Sequence, residues 1–193
     1  MGTDGQNRQA RKTRMALLGA FQELVLKRRY DDIRVADIIR RADVGRSTFY
    51  EHFRDKDDLL RQSLGGLLSV LARAVEEGEE LEHLPFVLDH FRENRRRALG
   101  LLNGPSAPQV VTVLASLIAE RLRASGTPAS QPLLLSIELT AAGLAEVLLG
   151  LLRAWLLQST PGPAGTMALA IHRTGCAAAR ALRIPAEQTG TAS

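Results

Sequence analysis

Cysteine is nearly missing. Cys176 stands alone, so no intrachain disulfide can form, and such a chain suits a reducing cytoplasm. Aromatic residues make up only 4% and β-branched residues are few. Leu and Ala therefore dominate the apolar set, and the expected fold class is all-α. The opening MGTDGQNRQARK contains no apolar core of signal-peptide length, so secretion is not expected and the cytoplasm is the expected location. Catalytic spacing is also lacking. No nucleophile–base arrangement or glycine-rich phosphate loop is present, so no enzyme is expected. His90 and Glu93 stand at i, i+3 with His83 nearby. No cysteine or second carboxylate–histidine pair completes a metal site, and neither metal nor cofactor is expected.

A long uncharged apolar run is missing too. The longest apolar segment, 131–158, would reach about 40 Å as a helix, enough to cross a bilayer. It carries Glu138, Glu146 and Arg153, each costing about 2.5–3.5 kcal/mol near a membrane centre. It reads as a core or interface helix of a protein with no membrane partner.

What the chain does have is charge in one place. Residues 1–62 hold 14 Lys+Arg against 10 Asp+Glu, while residues 63–193 hold 11 of each. The whole net charge of +4 therefore sits on the first third, as a phosphate-binding surface requires.

Within that third, IRVADIIRRADVGRSTFYEHFRDKDDLL (33–60) reads as two short helices, a tight turn and the start of a third helix. Val35, Ile38, Ile39 and Ala42 form one apolar stripe. Asp43-Val44-Gly45 breaks it, with Gly45 an acceptable N-cap and Asp43 tolerant of a left-handed backbone. In the next helix, Arg46 to about Phe53, Phe49 and Phe53 share a face. Ser47, Thr48, Glu51 and His52 share the other, with Arg46 and Tyr50 at the border. Such a helix can anchor by its phenylalanines and read a groove with the rest; a solvated helical hairpin has the same pattern. Asp55-Lys56-Asp57-Asp58 is a capping-box variant opening the third helix.

Asp37-Ile38, Ala42, Val44, Thr48, Phe49-Tyr50, Phe53, Lys56 and Leu59-Leu60 together resemble the N-terminal domain of the TetR/AcrR family of transcriptional regulators, over about residues 8–62. Two positions depart from the family: Arg34 stands where a Thr or Ser often meets a phosphate, and Asp43 where Gly is usual. The resemblance implies double-stranded DNA as partner, met by Arg34, Arg46, Ser47, Thr48, Tyr50, His52 and Lys56, with Tyr50 and Lys56 the firmest. It also implies a homodimer made by the last two helices and middle helices that enclose a pocket for a small-molecule effector.

The rest of the chain fits two units, a DNA-binding domain over 8–62 and a helical regulatory and dimerisation domain over 63–184. Residues 1–7 read as loose, and a helix follows from Arg8 to about Arg29 with Leu17, Phe21 and Leu24 on one stripe. Its basic run, Arg8, Arg11, Lys12 and Arg14, can reach the DNA backbone or simply be solvated. A helix from Lys56 to about Val75 joins the units. Gly65-Gly66 within it costs about 1–2 kcal/mol against alanine, so a bend or close packing is expected there. Glu76-Glu77-Gly78-Glu79-Glu80 is an acidic stop. Further helices are expected over about 85–99, 108–124 and 166–182, with a tail from Ile184-Pro185. Arg92, Arg95, Arg96 and Arg97 read as a solvated face, with an anionic ligand or a second DNA contact the other readings.

Leu67, Leu71, Phe86, Phe91 and Trp155 are the candidate pocket residues, with core packing the slightly favoured reading of Trp155. Gly143 and Gly150 lie seven apart and share a face that another helix can approach; with Ile171, Gly175 and Ala178 they are the candidate dimer interface. The functional expectation is a homodimeric, ligand-responsive regulator, a repressor released from a pseudo-palindromic operator. The other reading is a DNA-binding module controlled by a protein partner or by nothing, which a sealed core would favour.

Overall fold

The computed structural model describes residues 3–78, 82–124 and 132–184, and no strand occurs among them. Glu79 and Glu80 of the acidic stop, Gln131 and the tail from Pro185 lie outside the described residues. Among the described residues nine helices follow one another: α1 (Thr3–Val25), α2 (Val35–Ala42), α3 (Arg46–His52), α4 (Lys56–Ala72), α5 (His83–Glu93), α6 (Arg95–Asn103), α7 (Ala107–Ala124), α8 (Ile137–Leu157) and α9 (Ala164–Ala181). Helices α1–α3 and the start of α4 form a head; the remainder of α4 enters a helical body.

The head is built on large side chains at helical spacing. Leu17 and Phe21 of α1, Ile38 of α2, Phe49 of α3 and the following Phe53 are at most 1% exposed. Phe49 and Phe53 lie 5.9 Å apart centroid to centroid, and Phe21 meets Tyr30 edge-on at 6.3 Å. Truncating any of these phenylalanines to alanine costs about 3–5 kcal/mol. The first helix is displaced from its expected span, starting at Thr3 and ending at Val25. It stops early because the chain must turn Tyr30 inward, where it is 6% exposed.

Helix α4 runs unbroken through Gly65-Gly66, and a methyl group on either glycine would meet nothing within 4 Å. The glycines therefore do not interrupt the helix, and the expected close packing is corrected. A 3-10 turn, Arg73–Val75, finishes the connection. The single helix expected over 85–99 is two helices, broken at Asn94 (φ −100°, ψ 27°), whose side chain donates to the His90 carbonyl at 3.0 Å. The break lets both halves bury apolar residues and aims Arg95 at the end of α8. There the Arg95 guanidinium donates to the carbonyls of Leu156, Leu157 (3.3 Å) and Gln158 (3.0 Å). A cation on orphan C-terminal carbonyls satisfies both hydrogen bonding and the helix dipole.

Helix α8 starts at Ile137 because Ser136 caps it, accepting from the Leu139 N–H at 3.2 Å. Half of its most apolar stretch is buried in the body. The charges that spoke against a membrane are paired at its surface: Glu138 with Arg123 at 2.7 Å and Glu146 with Arg153 at 3.8 Å. Helix α9 packs on α8 and on the 3-10 turn. A methyl group on Gly175 would lie 2.7 Å from the Ala74 carbonyl oxygen, and Ile171 is fully buried. Two of the expected dimer residues are thus corrected: Ile171 and Gly175 face the protomer's own interior, because the 3-10 turn needs that close approach. Ala178 is half-buried beside them.

Candidate nucleic-acid interface

The turn between α2 and α3 has the conformation that its residues favour. Asp43 adopts φ 54°, ψ 51°, the one left-handed non-glycine among the described residues, and its N–H closes α2 onto the Ile39 carbonyl. Gly45 is extended and N-caps α3 without a side-chain bond. At the other end of α2, the Arg34 N–H donates to Asp37 Oδ2 at 3.1 Å, while Arg28 (3.2 Å) and Arg40 (2.5 Å) pair with the same carboxylate. The Arg34 amide first, then the Arg28 charge, holds the Asp37 carboxyl below the usual aspartate range. Arg34's own side chain is exposed.

Along α3, Phe49 points into the core and Arg46, Ser47, Tyr50 and Glu51 are exposed. Thr48 and His52 are half-buried. Arg46 lies over the Tyr50 ring, Cζ to centroid 5.6 Å, and Tyr50 meets Phe49 edge-on at 5.3 Å. Tyr50 is therefore fixed from below and aimed outward with a cation on its face. The structure brings Arg46, Ser47 and Tyr50 onto one exposed surface, with Thr48 and His52 at its margins.

Lys56 is more internal than a phosphate ligand needs to be. Its ammonium donates to the carbonyls of Tyr30 (3.0 Å) and Ile33 (3.2 Å) and lies 4.2 Å from the Tyr30 ring centroid. The Tyr30 hydroxyl in turn donates to Asp57. Burial first, then the Asp57 carboxylate, pushes the Tyr30 phenol far upward, so it stays a donor. Tyr30, Lys56 and Asp57 thus lock the entry to α2 against the first turn of α4. No local sequence pattern points to this pairing of Tyr30 with Asp57, and none links Tyr30 to a lysine 26 residues on. The capping signal at 55–58 was legible: Asp55 accepts from the Asp58 N–H at 2.7 Å, while Asp58 accepts from the Arg54 N–H at 3.1 Å.

The basic run of α1 divides. Arg8, Arg11 and Lys12 are exposed, whereas Arg14 bonds Gln62 and sits 5.6 Å over the Phe53 ring. Residues 19–62 match the family model of bacterial regulatory proteins, tetR family. The crystal structure of a TetR transcriptional regulator from Streptococcus agalactiae 2603V aligns with 90% of this chain and 99% of its own, at 25% identity and a TM-score of 0.54. Residues 19–62 thus form a DNA-binding domain of the tetR type, and the chain has the fold of the streptococcal regulator.

The chain accordingly has the helix-turn-helix head of a DNA-binding transcription regulator. FadR of Thermus thermophilus, a TetR-family repressor in complex with lauroyl-CoA, aligns at 21% identity (84% of this chain, 92% of that one, TM-score 0.42). A gamma-butyrolactone receptor, an ArpA-like protein, aligns at 19% (94% and 100%, TM-score 0.37). No curated protein matches the sequence.

The regulator also has a cavity of about 280 Å³, walled by α1, α4, α5, α6 and the start of α7. Of the expected pocket residues, Leu67 and Phe91 line it. The other three do not. Leu71 is fully buried in the core, and Phe86 is 75% exposed on the outer face of α5. Trp155 packs α8 against the turn before α9, its indole N–H donating to the Gly162 carbonyl at 3.2 Å.

Proposed function

We propose that this regulator is a homodimeric repressor that a small molecule releases from a pseudo-palindromic operator. The cavity carries the reading, since it lies where helices of the head meet helices of the body. A molecule seated there bears on both units at once. A two-fold dimer reads two half-sites only when its recognition helices are held about one DNA turn, or a multiple, apart. A change of head angle therefore changes operator affinity. Arg46, Ser47 and Tyr50 are the base-reading candidates; Arg34 and the exposed cations of α1 are the phosphate candidates.

The dimer face proposed is the outer side of α8 and α9. Leu139 (57% exposed), Val147 (38%) and Leu157 (58%) on α8 and Leu169 (45%) on α9 are large apolar side chains left in water. They recur at helical spacing beside Gly143 and Gly150, where an added methyl group would meet nothing within 4 Å among the described residues. Burying such a face against its copy is the self-complementary solution that two-fold symmetry allows.

The test selects high-affinity duplexes from a random pool, then measures binding to the selected operator with and without compounds found to raise the melting temperature. Paired half-sites, and a 5–150-fold loss of affinity on adding a binder, are expected from coupling of about 1–3 kcal/mol. A single unpaired half-site, or binders that all leave operator affinity unchanged, would overturn the proposal.

A further inference from the structure

We infer that the cavity at the seam between head and body is a site for a small organic monoanion, with Arg97 as its charge partner and α1 of the head as one of its walls. The inference rests on the ligand-responsive reading above and adds the ligand's chemistry and point of action. The cavity is mostly apolar, with Phe21, Val25 and Leu26 from α1 facing Phe91 and Leu101 from the body. Its polar groups are Gln22, Ser63, His90, Asn94 and Arg97, and among the described residues no carboxylate lines it. A cavity with one permanent cation and no acid selects for negative charge.

Arg97 is available for that role, unlike two neighbours in the same arginine run. Arg92 pairs with Asp89 at 2.6 Å, and Arg95 is spent on the C-terminal carbonyls of α8. Arg97 makes no hydrogen bond or ion pair with a described residue. The one acid shown to feel its charge, Glu23, is held by Arg41 through both Nε (2.9 Å) and Nη2. A guanidinium with its donors free, at the polar edge of an apolar cavity, suits a carboxylate whose apolar part lies inward. The size fits a small molecule: an apolar void of about 150 Å³ takes a benzene, so 280 Å³ suits a ligand of roughly eight to ten carbons.

The place of action follows from the walls. Beside the cavity, head and body touch at two close points. A methyl group on Gly100 of α6 would lie 3.3 Å from Leu26 Cδ2, and the buried Ser106 hydroxyl donates to the Arg28 carbonyl at 3.0 Å. A ligand between α1 and α6 therefore bears on this joint directly, and α1 carries the α2–α3 reader with it. Signalling need not pass along α4 alone.

The probes are octanoate, octanol and octylamine, titrated calorimetrically into the full-length protein and into Arg97→Gln and Arg97→Lys. Arg97 is exposed, so both variants should fold, which circular dichroism checks. Octanoate should bind at least tenfold tighter than octanol or octylamine, lose that advantage in Arg97→Gln and regain part of it in Arg97→Lys. Equal binding of octylamine, no octanoate binding up to about 1 mM, or octanoate affinity untouched in Arg97→Gln overturns the inference. Operator binding separates the two readings. Octanoate bound through Arg97 but without effect on operator affinity upholds the site and sinks ligand-driven release. A different compound that releases operator equally from parent and Arg97→Gln upholds release and overturns the seam as the effector site.

Discussion

At the scale of single residues, the head depends on a few side chains whose neighbours are far away in sequence. Asp43 holds a left-handed backbone at φ 54°, a conformation that costs an L-residue about 1–2 kcal/mol, less for Asp or Asn and nothing for Gly. Asp43→Gly should therefore leave stability unchanged or raise it by up to about 1 kcal/mol, while Asp43→Val should lower it by about 1–2 kcal/mol. Urea unfolding of the three proteins checks the order; a valine variant as stable as the glycine variant would show that the turn relaxes elsewhere. Lys56 has a larger part than its expected phosphate contact. Its charged donors satisfy the Tyr30 and Ile33 carbonyls, and hydrogen bonds to charged groups contribute about 1.5–3 kcal/mol each. Because Lys56 is only half-buried, Lys56→Ala should cost about 1–3 kcal/mol in total, read as a lower urea midpoint. An unchanged midpoint would return Lys56 to a purely DNA-facing role. The tolerance of Asp43 for this turn was legible in the sequence because turn chemistry is local. The Lys56 brace was not, because nothing in periodicity joins residue 56 to residue 30.

At the scale of elements, helical periodicity carried most of the reading, and it failed where one pattern admits two backbones. Residues 85–99 keep apolar side chains at spacing that a single helix would also satisfy, so the break at Asn94 was invisible. Its purpose shows only in three dimensions, where Arg95 reaches the end of α8. The glycine pair of α4 was over-read for the opposite reason. Two glycines imply a weak helix, but the burial of Leu60, Leu68 and Leu71 along the same helix keeps it helical through them. Since a methyl group on either would meet nothing within 4 Å, Gly65→Ala with Gly66→Ala should stabilise the protein by about 1–2 kcal/mol through helix propensity alone. A thermal melt decides it: a lower melting temperature would mean that the glycines serve a contact with a second copy or a bent form of α4.

At the scale of the whole molecule, the unresolved choice in the sequence was which small-residue face serves which partner. Gly143 and Gly150 on one helix and Gly175 and Ala178 on the next, beside Ile171, are all small enough to let helices approach. Composition does not say whether the approaching backbone belongs to the same protomer. The structure separates them: Gly175 is taken up by the Ala74 carbonyl of its own 3-10 turn, whereas a methyl group on Gly150 would meet nothing within 4 Å among the described residues. Two substitutions should accordingly fail in different ways. Gly175→Ala forces its methyl group into backbone that has little freedom to move, which should cost the protomer about 1–3 kcal/mol as overpacking while leaving the outer face intact. Gly150→Arg should leave the protomer folded, because its side chain enters open space, but place a long cation between Val147 and Leu157 of the proposed dimer face. Light scattering should then find monomers for Gly150→Arg and dimers for Gly175→Ala at the same concentration. Operator affinity should fall steeply only in the first, since a lone head loses the second half-site. A Gly150→Arg protein that stays dimeric would move the interface off this side of α8, and with it the geometry that spaces the two heads.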